Sequence, residues 1–438
     1  MNKLTISYRP LSGVAVNPRN ARTHDKRQLK QIKDSIAAFG FTNPLLVDEA
    51  GVLIAGHGRL SAAKSLGLET VPIIVLAHLS ETQKRALMLA DNKIALNASW
   101  DMDLLANELA DLSSMDLEFN LELTGFEVAD IDFIIGEAEE RRAGDVETAP
   151  VPDDCAPVIT RRGDLWLLGK HRVLCGDARN PDDFKVLAGD GKAAMVFTDP
   201  PYNVPIAGHV SGKGRARHRE FHEASGEMTR SEFTVFLDEV LTNTAHSCRD
   251  GAISFVCMDW RHIGELLEAG QRAFDAYLNL CIWAKTNGGM GSLYRSQHEL
   301  VFVFRKGKVQ HRNNVQLGRF GRNRTNVWTY AGVNTFREGR MEEISAHPTA
   351  KPVAMVKDAI LDVSKRGEVV LDPFLGGGAT LIAAEQSGRI AYAMDIDPAY
   401  IDVALRRFRK ETGEEPRRAS DNRTLASLEM EQRKETGV

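Results

Sequence analysis

The chain has 438 residues, more than one hydrophobic core usually organises, so two or three domains are expected. With 43% hydrophobic and 26% charged residues it has the composition of a soluble globular protein, and no apolar run of about 18 residues predicts a membrane span. The first residues show no secretory signal. Five widely spaced cysteines without a CxxC pair indicate a cytoplasmic protein with no metal site.

The net charge of −5 is distributed very unevenly along the chain. Residues 101–140 contain thirteen acids and no Lys or Arg, and outside them the formal charge is +8. Residues 305–324, in contrast, hold seven Lys or Arg and no acid. Because a local basic segment governs attraction to a polyanion, the overall acidity does not exclude nucleic acid.

Residues 1–90 predict a small α+β domain. Apolar residues three and four positions apart indicate a helix over Lys26–Phe39 that ends before Gly40. Extended stretches, a second helix and a strand follow at 44–47, 52–55, 60–66 and 71–76.

Residues 91–157 predict an acidic helical connector followed by a linker. Leu104, Leu105, Leu109 and Leu112 recur at helical intervals, which indicates one buried stripe on otherwise solvated helices. Residues 143–157 contain three prolines, mixed charges and few large apolar side chains, as linkers do.

Residues 158–415 alternate strands and helices, which predicts an α/β fold with a doubly wound sheet. The strand candidates are 194–198, 252–258, 278–283, 299–304, 369–371 and 390–394, and the clearest helices are 231–247 and 353–365. Residues 416–438 are polar and charged and predict a frayed tail.

A glycine turn follows the strand that ends at Asp372. Gly376, Gly377 and Gly378 allow a sharp turn and close approach of a ligand, and Asp395, nineteen residues after Gly376, could accept hydrogen bonds from ribose hydroxyls. This pattern fits any nucleoside-containing cofactor, or a tight turn that binds nothing. Leu381 stands where the NAD fingerprint needs its third glycine, and the absence of GxxxxGK[ST] disfavours ATP hydrolysis.

The second informative segment is an Asp-Pro-Pro-Tyr turn at the end of an apolar strand, Asp199 to Tyr202. The carboxyl ends of strands are where open α/β sheets place ligands. Two prolines fix the backbone, so a carboxylate and a proline carbonyl together could grip an NH₂ group through both hydrogens. The nitrogen lone pair would then be free to attack an electrophilic methyl, while the tyrosine ring offers a face for an extruded base.

Six elements in this order resemble the amino-methyltransferases of DNA, in their permuted β group. They are LCGDA, TDPPYN, GAISFVCMD, IWAKTNGG with YRSQHELVFVFRKG, HPTAKP and DPFLGGGAT. The resemblance covers about residues 163–410. It implies a Rossmann-like methyltransferase sheet in permuted order, S-adenosylmethionine as cofactor, and methyl transfer to an exocyclic base amine of flipped DNA.

The resemblance also implies roles for single residues. Asp199 and the Pro200 carbonyl bind the amine, Pro201 completes the turn, and Tyr202 stacks on the base. The implied cofactor contacts are Asp199, Asp372, Phe374, Gly376 and Gly378, with Asp395 or Asp397 at the ribose, Asp177 at the adenine ring, and Thr349 and Lys351 near the carboxylate. For Lys351, an exposed surface lysine is the alternative.

In the β group the interval at 305–340 carries target recognition. Arg and Lys suit phosphates and guanine edges, and Asn and Gln suit adenine edges. The candidate DNA contacts are Arg312, Arg319, Arg322 and Arg324. A solvated side chain is the alternative for any one of them.

The front domain resembles the ParB/sulfiredoxin-like N-terminal domain over about residues 11–76, through NPRN, FGFTNPLLVD and LIAGHGRLSAAKSLG. Many members have Gly-Glu-Arg-Arg where this chain has Gly56-His57-Gly58-Arg59, which puts nucleotide hydrolysis in doubt. A helix start preceded by glycines can still hold a phosphate of a nucleotide or of DNA.

The expected function is therefore adenine-specific DNA methylation of the restriction–modification type. In the family, Asp at the first position of the turn goes mostly with adenine and Ser with cytosine, so amine methylation of cytosine is the alternative. No cysteine follows a proline, which disfavours cytosine ring-carbon chemistry. A ParB-like regulator with a degenerate enzyme domain and a methyltransferase acting on RNA are further alternatives. The expected partners are double-stranded DNA and a second copy in a homodimer, but no membrane.

Overall fold

The computed structural model describes residues 4–115, 117, 119–142, 158–204, 226–285, 293–315, 324–330 and 351–436. The chain forms two compact units, Met1–Glu139 and Glu140–Val438. Of the helices in the described ranges, none combines the length and hydropathy needed to cross a membrane.

In the first unit, residues 4–95 form a four-stranded sheet with three helices. The strands, in the order β1-β4-β2-β3, are β1 (Ile6–Pro10), β2 (Leu45–Val47), β3 (Leu53–Ala55) and β4 (Thr70–Val75), and the helices are α1 (Lys26–Phe39), α2 (His57–Leu66) and α3 (Glu81–Ala95). The predicted α1 is confirmed at both ends, with Asp25 capping its start. Strand β1 was not predicted, although its apolar residues Ile6 and Tyr8 alternate with polar ones; in the structure the strand is mostly exposed.

Helix α2 begins three residues earlier than its pattern predicted. Gly56, with a φ of 103°, turns the chain into the helix, and a Cβ there would lie 2.6 Å from Leu45 Cδ2. A Cβ on Gly58 would meet Ile32 Cδ1 at 2.8 Å. Both glycines are therefore required for packing, whatever the start of this helix binds.

The acidic region also has a small core. Helices α4 (Met102–Ser114) and α5 (Val128–Arg142) bury a shared apolar cluster that includes Leu105, Leu109 and Ile134, whereas Leu104 is 65% exposed. Of the four leucines in the predicted stripe, only Leu105 and Leu109 are buried, and the two helices pack on each other through them. The predicted linker at 143–157 lies outside the described residues.

The second unit is built on a ten-stranded mixed sheet with the order β11-β9-β10-β8-β7-β12-β13-β6-β5-β14. Its strands are β5 (Leu165–Leu168), β6 (His171–Cys175), β7 (Ala193–Thr198), β8 (Cys248–Met258), β9 (Ala276–Lys285), β10 (His298–Arg305), β11 (Val327–Tyr330), β12 (Val369–Asp372), β13 (Ile390–Asp395) and β14 (Arg417–Arg418). The central strands β8, β7, β12, β13 and β6 run parallel, and β10 is antiparallel to both its neighbours.

Helices cover both faces of this sheet. They are α6 (Pro181–Ala188), α7 (Arg230–His246), α8 (Ile263–Ala273), α9 (Val353–Val363), α10 (Ala379–Gln386), α11 (Pro398–Thr412) and α12 (Leu425–Thr436). Successive residues of β7 point to opposite cores: Phe197 packs with α9, α10 and α11, and Val196 with α6, α7 and α8. The predicted doubly wound α/β sheet is confirmed.

The direction of winding reverses between β7 and β12. From β7 the chain passes through α7 to β8 on one side, and from β12 it passes through α10 to β13 on the other. Open α/β sheets bind ligands at such a switch point, outside the carboxyl ends of the strands. This topology places the candidate site at the edge where Asp199 and Asp372 lie.

The prediction that residues 416–438 form a frayed polar tail is wrong. Strand β14 pairs with β5, and α12 buries Leu425 and Leu428 in the main core. Glu429 of this helix forms ion pairs with Arg406 and Arg409. Only two apolar side chains anchor the helix, too few to stand out from a charged sequence.

Candidate active site

Three acidic residues lie at the carboxyl ends of adjacent parallel strands. Asp199 follows β7, Asp372 ends β12, and Asp395 ends β13. Leu371 is opposite Val196 and Asp372 is opposite Ala393, so the strands end nearly level. The fold therefore brings the two predicted segments to one edge, although about 170 residues separate them in the sequence.

The carboxylate of Asp199 has a donor on each oxygen. The Tyr202 hydroxyl donates a hydrogen bond to Oδ1 at a distance of 2.5 Å, and Lys351 Nζ donates to Oδ2 at the same distance. Lys351 is only 6% exposed, so the alternative of a surface lysine is wrong. Its expected contact with the cofactor carboxylate stays a prediction, because here its ammonium contacts Asp199 and Tyr202.

Glu299 is the other carboxylate of this site, and sequence reasoning missed it. It comes from β10 and is 6% exposed. Lys351 Nζ lies 3.0 Å from its Oε2, the Tyr202 hydroxyl lies 3.1 Å from the same oxygen, and Lys285 of β9 donates to its Oε1. A glutamate at the start of the apolar stretch ELVFVF was the available signal, since glutamate is rarely buried without a cation.

The electrostatics of this cluster divide the charge unequally. Burial raises the pKa of Glu299, but Lys351 and Lys285 outweigh it and hold the pKa at about 2. Burial also raises the pKa of Asp199, Lys351 lowers it, and Glu299 raises it, with the net result above the usual range. Burial lowers the pKa of Lys351, but the two carboxylates raise it further, so this lysine stays protonated. As the pH falls, Asp199 is therefore protonated before Glu299.

The Asp-Pro-Pro-Tyr turn is anchored by the residue that follows it. Asn203 has a φ of 51°, an uncommon conformation for a residue other than glycine. Its side-chain oxygen accepts from the backbone N–H groups of Gly226 and Met228, and its amide donates to the Met228 carbonyl. These three hydrogen bonds hold the turn against the start of α7, which fixes the direction of Tyr202 and Asp199.

The glycine turn lies beside this cluster. The Gly376 N–H donates to Asp395 Oδ2 over 2.9 Å, and Asp372 accepts from Phe374 N–H and from the Thr198 hydroxyl, both over 3.0 Å. A Cβ on Gly376, which has a φ of 50°, would meet nothing within 4 Å. The space over this residue is therefore open to a ligand.

Gly378 has a different reason to be glycine. A Cβ there would lie 3.1 Å from Ala404 Cβ of α11, and its φ is 83°. It permits close packing of the turn on a helix, so its predicted role in lining the cofactor is not needed to explain it.

Asp395 and Asp397 are both held by backbone N–H groups. Asp395 Oδ1 accepts from Asp397 N–H over 2.9 Å, and Asp397 caps α11 by accepting from Ala399 N–H. Burial raises the pKa of Asp395 to about 6 and that of Asp372 to about 7. Both carboxylates thus already accept from backbone N–H groups, and which of them would accept from a ribose stays a prediction.

Asp177 follows β6, the strand next to β13. Its carboxylate is paired with Arg179 at 3.2 Å and Arg162 at 3.6 Å, and it accepts from the Arg179 N–H. Burial raises the pKa of Asp177, but its hydrogen bonds with Arg179 and the charges of Arg179 and Arg162 lower it overall, so it is ionised. Its expected contact with the adenine ring of a cofactor stays a prediction.

The four candidate DNA contacts are only partly described. Arg319 and Arg322, like the candidate cofactor residue Thr349, lie outside the described residues. Arg312 is half-buried. Arg324 is ion-paired with Asp358 at 2.9 Å and Asp362 at 2.7 Å, and its guanidinium lies over the Trp328 ring. Arg324 thus anchors its segment to two aspartates of α9, contrary to its prediction as a phosphate contact.

The doubly wound sheet, with the Asp-Pro-Pro-Tyr turn beside a glycine turn, is the arrangement of a Rossmann-like methyltransferase. The chain matches the DNA methylase family over residues 193–406. It also matches the ParB N-terminal domain over residues 2–93 and the ParB-methyltransferase HTH domain over residues 103–162. The region expected to be a connector and linker is therefore similar to a helix-turn-helix domain.

The relatives agree with this division. The chain is 25% identical over 257 residues to the type II methyltransferase M.HpaI of Haemophilus parainfluenzae, covering 55% of this chain and 75% of that protein. It is 26% identical over 237 residues to M2.DpnII of Streptococcus pneumoniae, covering 50% and 82%. The front domain is 51% identical over 83 residues to the ParB-like nuclease domain-containing protein YnaK of Escherichia coli (strain K12), covering 19% and 95%.

Among solved structures, the M1.HpyAVI–SAM complex is similar at 18% identity with a TM-score of 0.38, covering 54% of this chain and 98% of that chain. The cytosine-N4-specific PvuII DNA methyltransferase is similar at 13% identity with a TM-score of 0.42, covering 55% and 86%.

Proposed function

We propose that this protein transfers a methyl group from S-adenosylmethionine to the exocyclic amine of adenine at a specific sequence in double-stranded DNA. The observation that carries this proposal is the Asp199 carboxylate, held by Tyr202 and Lys351 at the sheet edge next to the open glycine turn. We also propose a cytoplasmic location, which would give the protein access to DNA.

The residues of the turn fit S-adenosylmethionine. Open space over Gly376 admits the cofactor close to the backbone, and Asp395 offers a carboxylate to the ribose hydroxyls. When bound, the cofactor supplies an electrophilic methyl group. Phe374, which packs against Phe236 of α7 at 6.2 Å between ring centroids, would provide an apolar wall beside the turn.

The chain's own residues prepare the amine. Asp199 and the Pro200 carbonyl accept hydrogen bonds from its two N–H groups. This localises the lone pair on nitrogen for attack on the methyl carbon. After transfer the amine carries an extra proton, and the half-buried Asp199 carboxylate, whose pKa burial raises, can take it. A strand-end carboxylate cannot reach a stacked base, so the target must leave the helix, and Tyr202 offers it a ring.

Adenine is favoured over cytosine by the first residue of the turn. Asp199 presents a full carboxylate, a stronger acceptor than the serine hydroxyl that mostly accompanies cytosine in this family. Methylation of the cytosine amine remains the second candidate. The intact Asp199–Tyr202 turn and glycine turn disfavour a ParB-like regulator with a degenerate enzyme domain.

A transfer assay with radiolabelled S-adenosylmethionine tests the proposal. The purified protein is given unmethylated bacterial genomic DNA, total RNA, or a mixture of unrelated proteins. We expect label in DNA alone. Label in RNA or protein and none in DNA would overturn the assignment of DNA as substrate.

DNA phosphates are proposed to bind the basic segment at 305–324 and not the acidic helices α4 and α5. Thirteen acids without a Lys or Arg in 101–140 would repel a polyanion. Replacing Arg319 and Arg322 by glutamine should weaken DNA binding and flatten its log–log salt dependence by about 0.9 for each phosphate that is no longer neutralised. Fluorescence anisotropy over a salt series measures this slope.

Arg324→Gln is the control for this prediction. It removes one positive charge from the same segment, but from a side chain paired with Asp358 and Asp362. It should lower thermal stability and leave the slope unchanged. Equal slopes for the wild type and the Arg319/Arg322 variant would show that these arginines make no phosphate contact.

The front domain is proposed to hold a phosphate, of a nucleotide or of DNA, at the start of α2. Arg59 supports this role: it lies in the first turn of that helix, donates to the Asn43 carbonyl over 2.9 Å and provides a positive charge. A homodimer would present two such domains to one DNA duplex.

A further inference from the structure

Lys351 is shared between two carboxylates that come from different strands. Its Nζ lies 2.5 Å from Asp199 Oδ2 and 3.0 Å from Glu299 Oε2, and its side chain is 4% exposed. Glu299 is 8% exposed at its side chain and has Lys285 as a second cation. The two carboxylates and two ammonium groups form a charge-balanced cluster at the catalytic turn.

We propose that Lys351 and Glu299 are positioning residues for the transfer reaction. Lys351 keeps Asp199 charged and oriented. Glu299 is a second acceptor for the Lys351 ammonium, so that Asp199 can release Lys351 and accept from the target amine instead. This inference rests on the proposed function. It assigns a role in catalysis to two residues that do not themselves contact the reacting atoms.

The need for Lys351 follows from the surroundings of Asp199. The titratable groups that face it are Tyr202 on its own turn, Lys351 before α9, Glu299 on β10, Lys285 behind Glu299, Cys257 on β8 and Asp372 on β12. Tyr202 and Cys257 are neutral because burial raises the pKa of each well above its usual value. Burial and the neighbouring carboxylates favour a protonated Asp199, which is a weaker acceptor, and Lys351 is the cation that directly opposes them.

The need for Glu299 follows from the reaction. A carboxylate gripped by one buried ammonium would have to give up a charge-assisted hydrogen bond when a neutral amine arrives. Because Glu299 already accepts from Lys351, the ammonium keeps a partner when Asp199 turns to the amine. Tyr202 can follow, since its hydroxyl reaches both Asp199 at 2.5 Å and Glu299 at 3.1 Å.

The two residues should therefore shift the pH dependence of transfer in opposite directions. In Lys351→Met the pKa of Asp199 rises, so the acid limb of the rate profile should move to higher pH by about 1 to 3 units, with activity recovering in alkali. In Glu299→Gln a neighbouring negative charge is removed, so the limb should move to lower pH, and the plateau rate should fall because Lys351 now holds Asp199 alone.

The measurement is the single-turnover rate of methyl transfer to unmethylated genomic DNA between pH 5 and pH 10, with S-adenosylmethionine saturating. Saturation keeps titration of Asp372 and Asp395, at the cofactor turn, out of the profile. Lys185→Met, which removes an exposed lysine paired with Asp182, is the matched control and should leave the profile unchanged. Glu299→Gln is nearly isosteric and carries the test alone if Lys351→Met does not fold.

Opposite shifts would support the proposal. Wild-type acid limbs in the variants, or reductions in rate that are the same at every pH, would overturn it while leaving the proposed function intact. If the wild type itself transfers no methyl to DNA, the proposed function fails, and the inference fails with it.

Discussion

Replacing Asp199 by alanine should reduce methyl transfer by at least about 10²-fold, the scale on which single transition-state hydrogen bonds act in other enzymes. The substitution removes the acceptor for the target amine without touching the glycine turn. The variant should also fold, because Lys351 keeps Glu299 as its counter-ion. Single-turnover transfer and calorimetric titration with S-adenosylmethionine separate the two effects: the rate falls and cofactor binding persists.

Two further variants sharpen this result. Asp199→Asn keeps the shape of the side chain but not its charge, and should be nearly as inactive as the alanine variant. Asp182→Ala removes a carboxylate whose side chain is 75% exposed on α6 and should be fully active. Substantial transfer by Asp199→Asn would mean that the charge is unnecessary, and substantial transfer by Asp199→Ala would remove Asp199 from the mechanism.

Gly376→Val should abolish binding of S-adenosylmethionine. The open space over Gly376 would be filled by the valine side chain, where the cofactor must approach the backbone. The substitution also places a β-branched residue at a φ of 50°, which has its own conformational cost. Calorimetry should detect no binding at cofactor concentrations that saturate the wild type.

Gly367→Val separates these two effects. Gly367 has a φ of 76° and open space around its Cβ position, but it lies in the turn before β12, at the opposite end of the strand from the glycine turn. It should lower the thermal unfolding temperature to a similar degree and leave cofactor binding unchanged. Loss of binding in both variants would trace the effect to stability, and retained binding in Gly376→Val would place the cofactor elsewhere.

The strands that carry the site could be predicted because they are continuous apolar runs followed by turn residues. Strand β7 with its Asp-Pro-Pro-Tyr turn, and β12 with its glycine turn, are local patterns that the sequence shows directly. Their shared edge follows from the rules of parallel sheets.

What could not be predicted depends on contacts between distant segments. Lys351 is 152 residues from Asp199, and nothing local distinguishes it from a surface lysine. Glu299 and Arg324 acquire their roles from partners on other elements. Helix α12 has only two buried leucines in a charged stretch, so its sequence suggested a polar tail. Helices α4 and α5 bury their apolar residues against each other, so their sequence suggested a connector.

The most direct test of the account is the chemical identity of the product. DNA methylated by the wild-type protein is digested to nucleosides and resolved by mass spectrometry, with DNA treated by Asp199→Ala as the reference. The account predicts adenine methylated on its exocyclic amine in the first sample and none above background in the second. Cytosine methylated on its amine, without methylated adenine, would contradict the choice of base. Methylation on a ring carbon would contradict the mechanism itself.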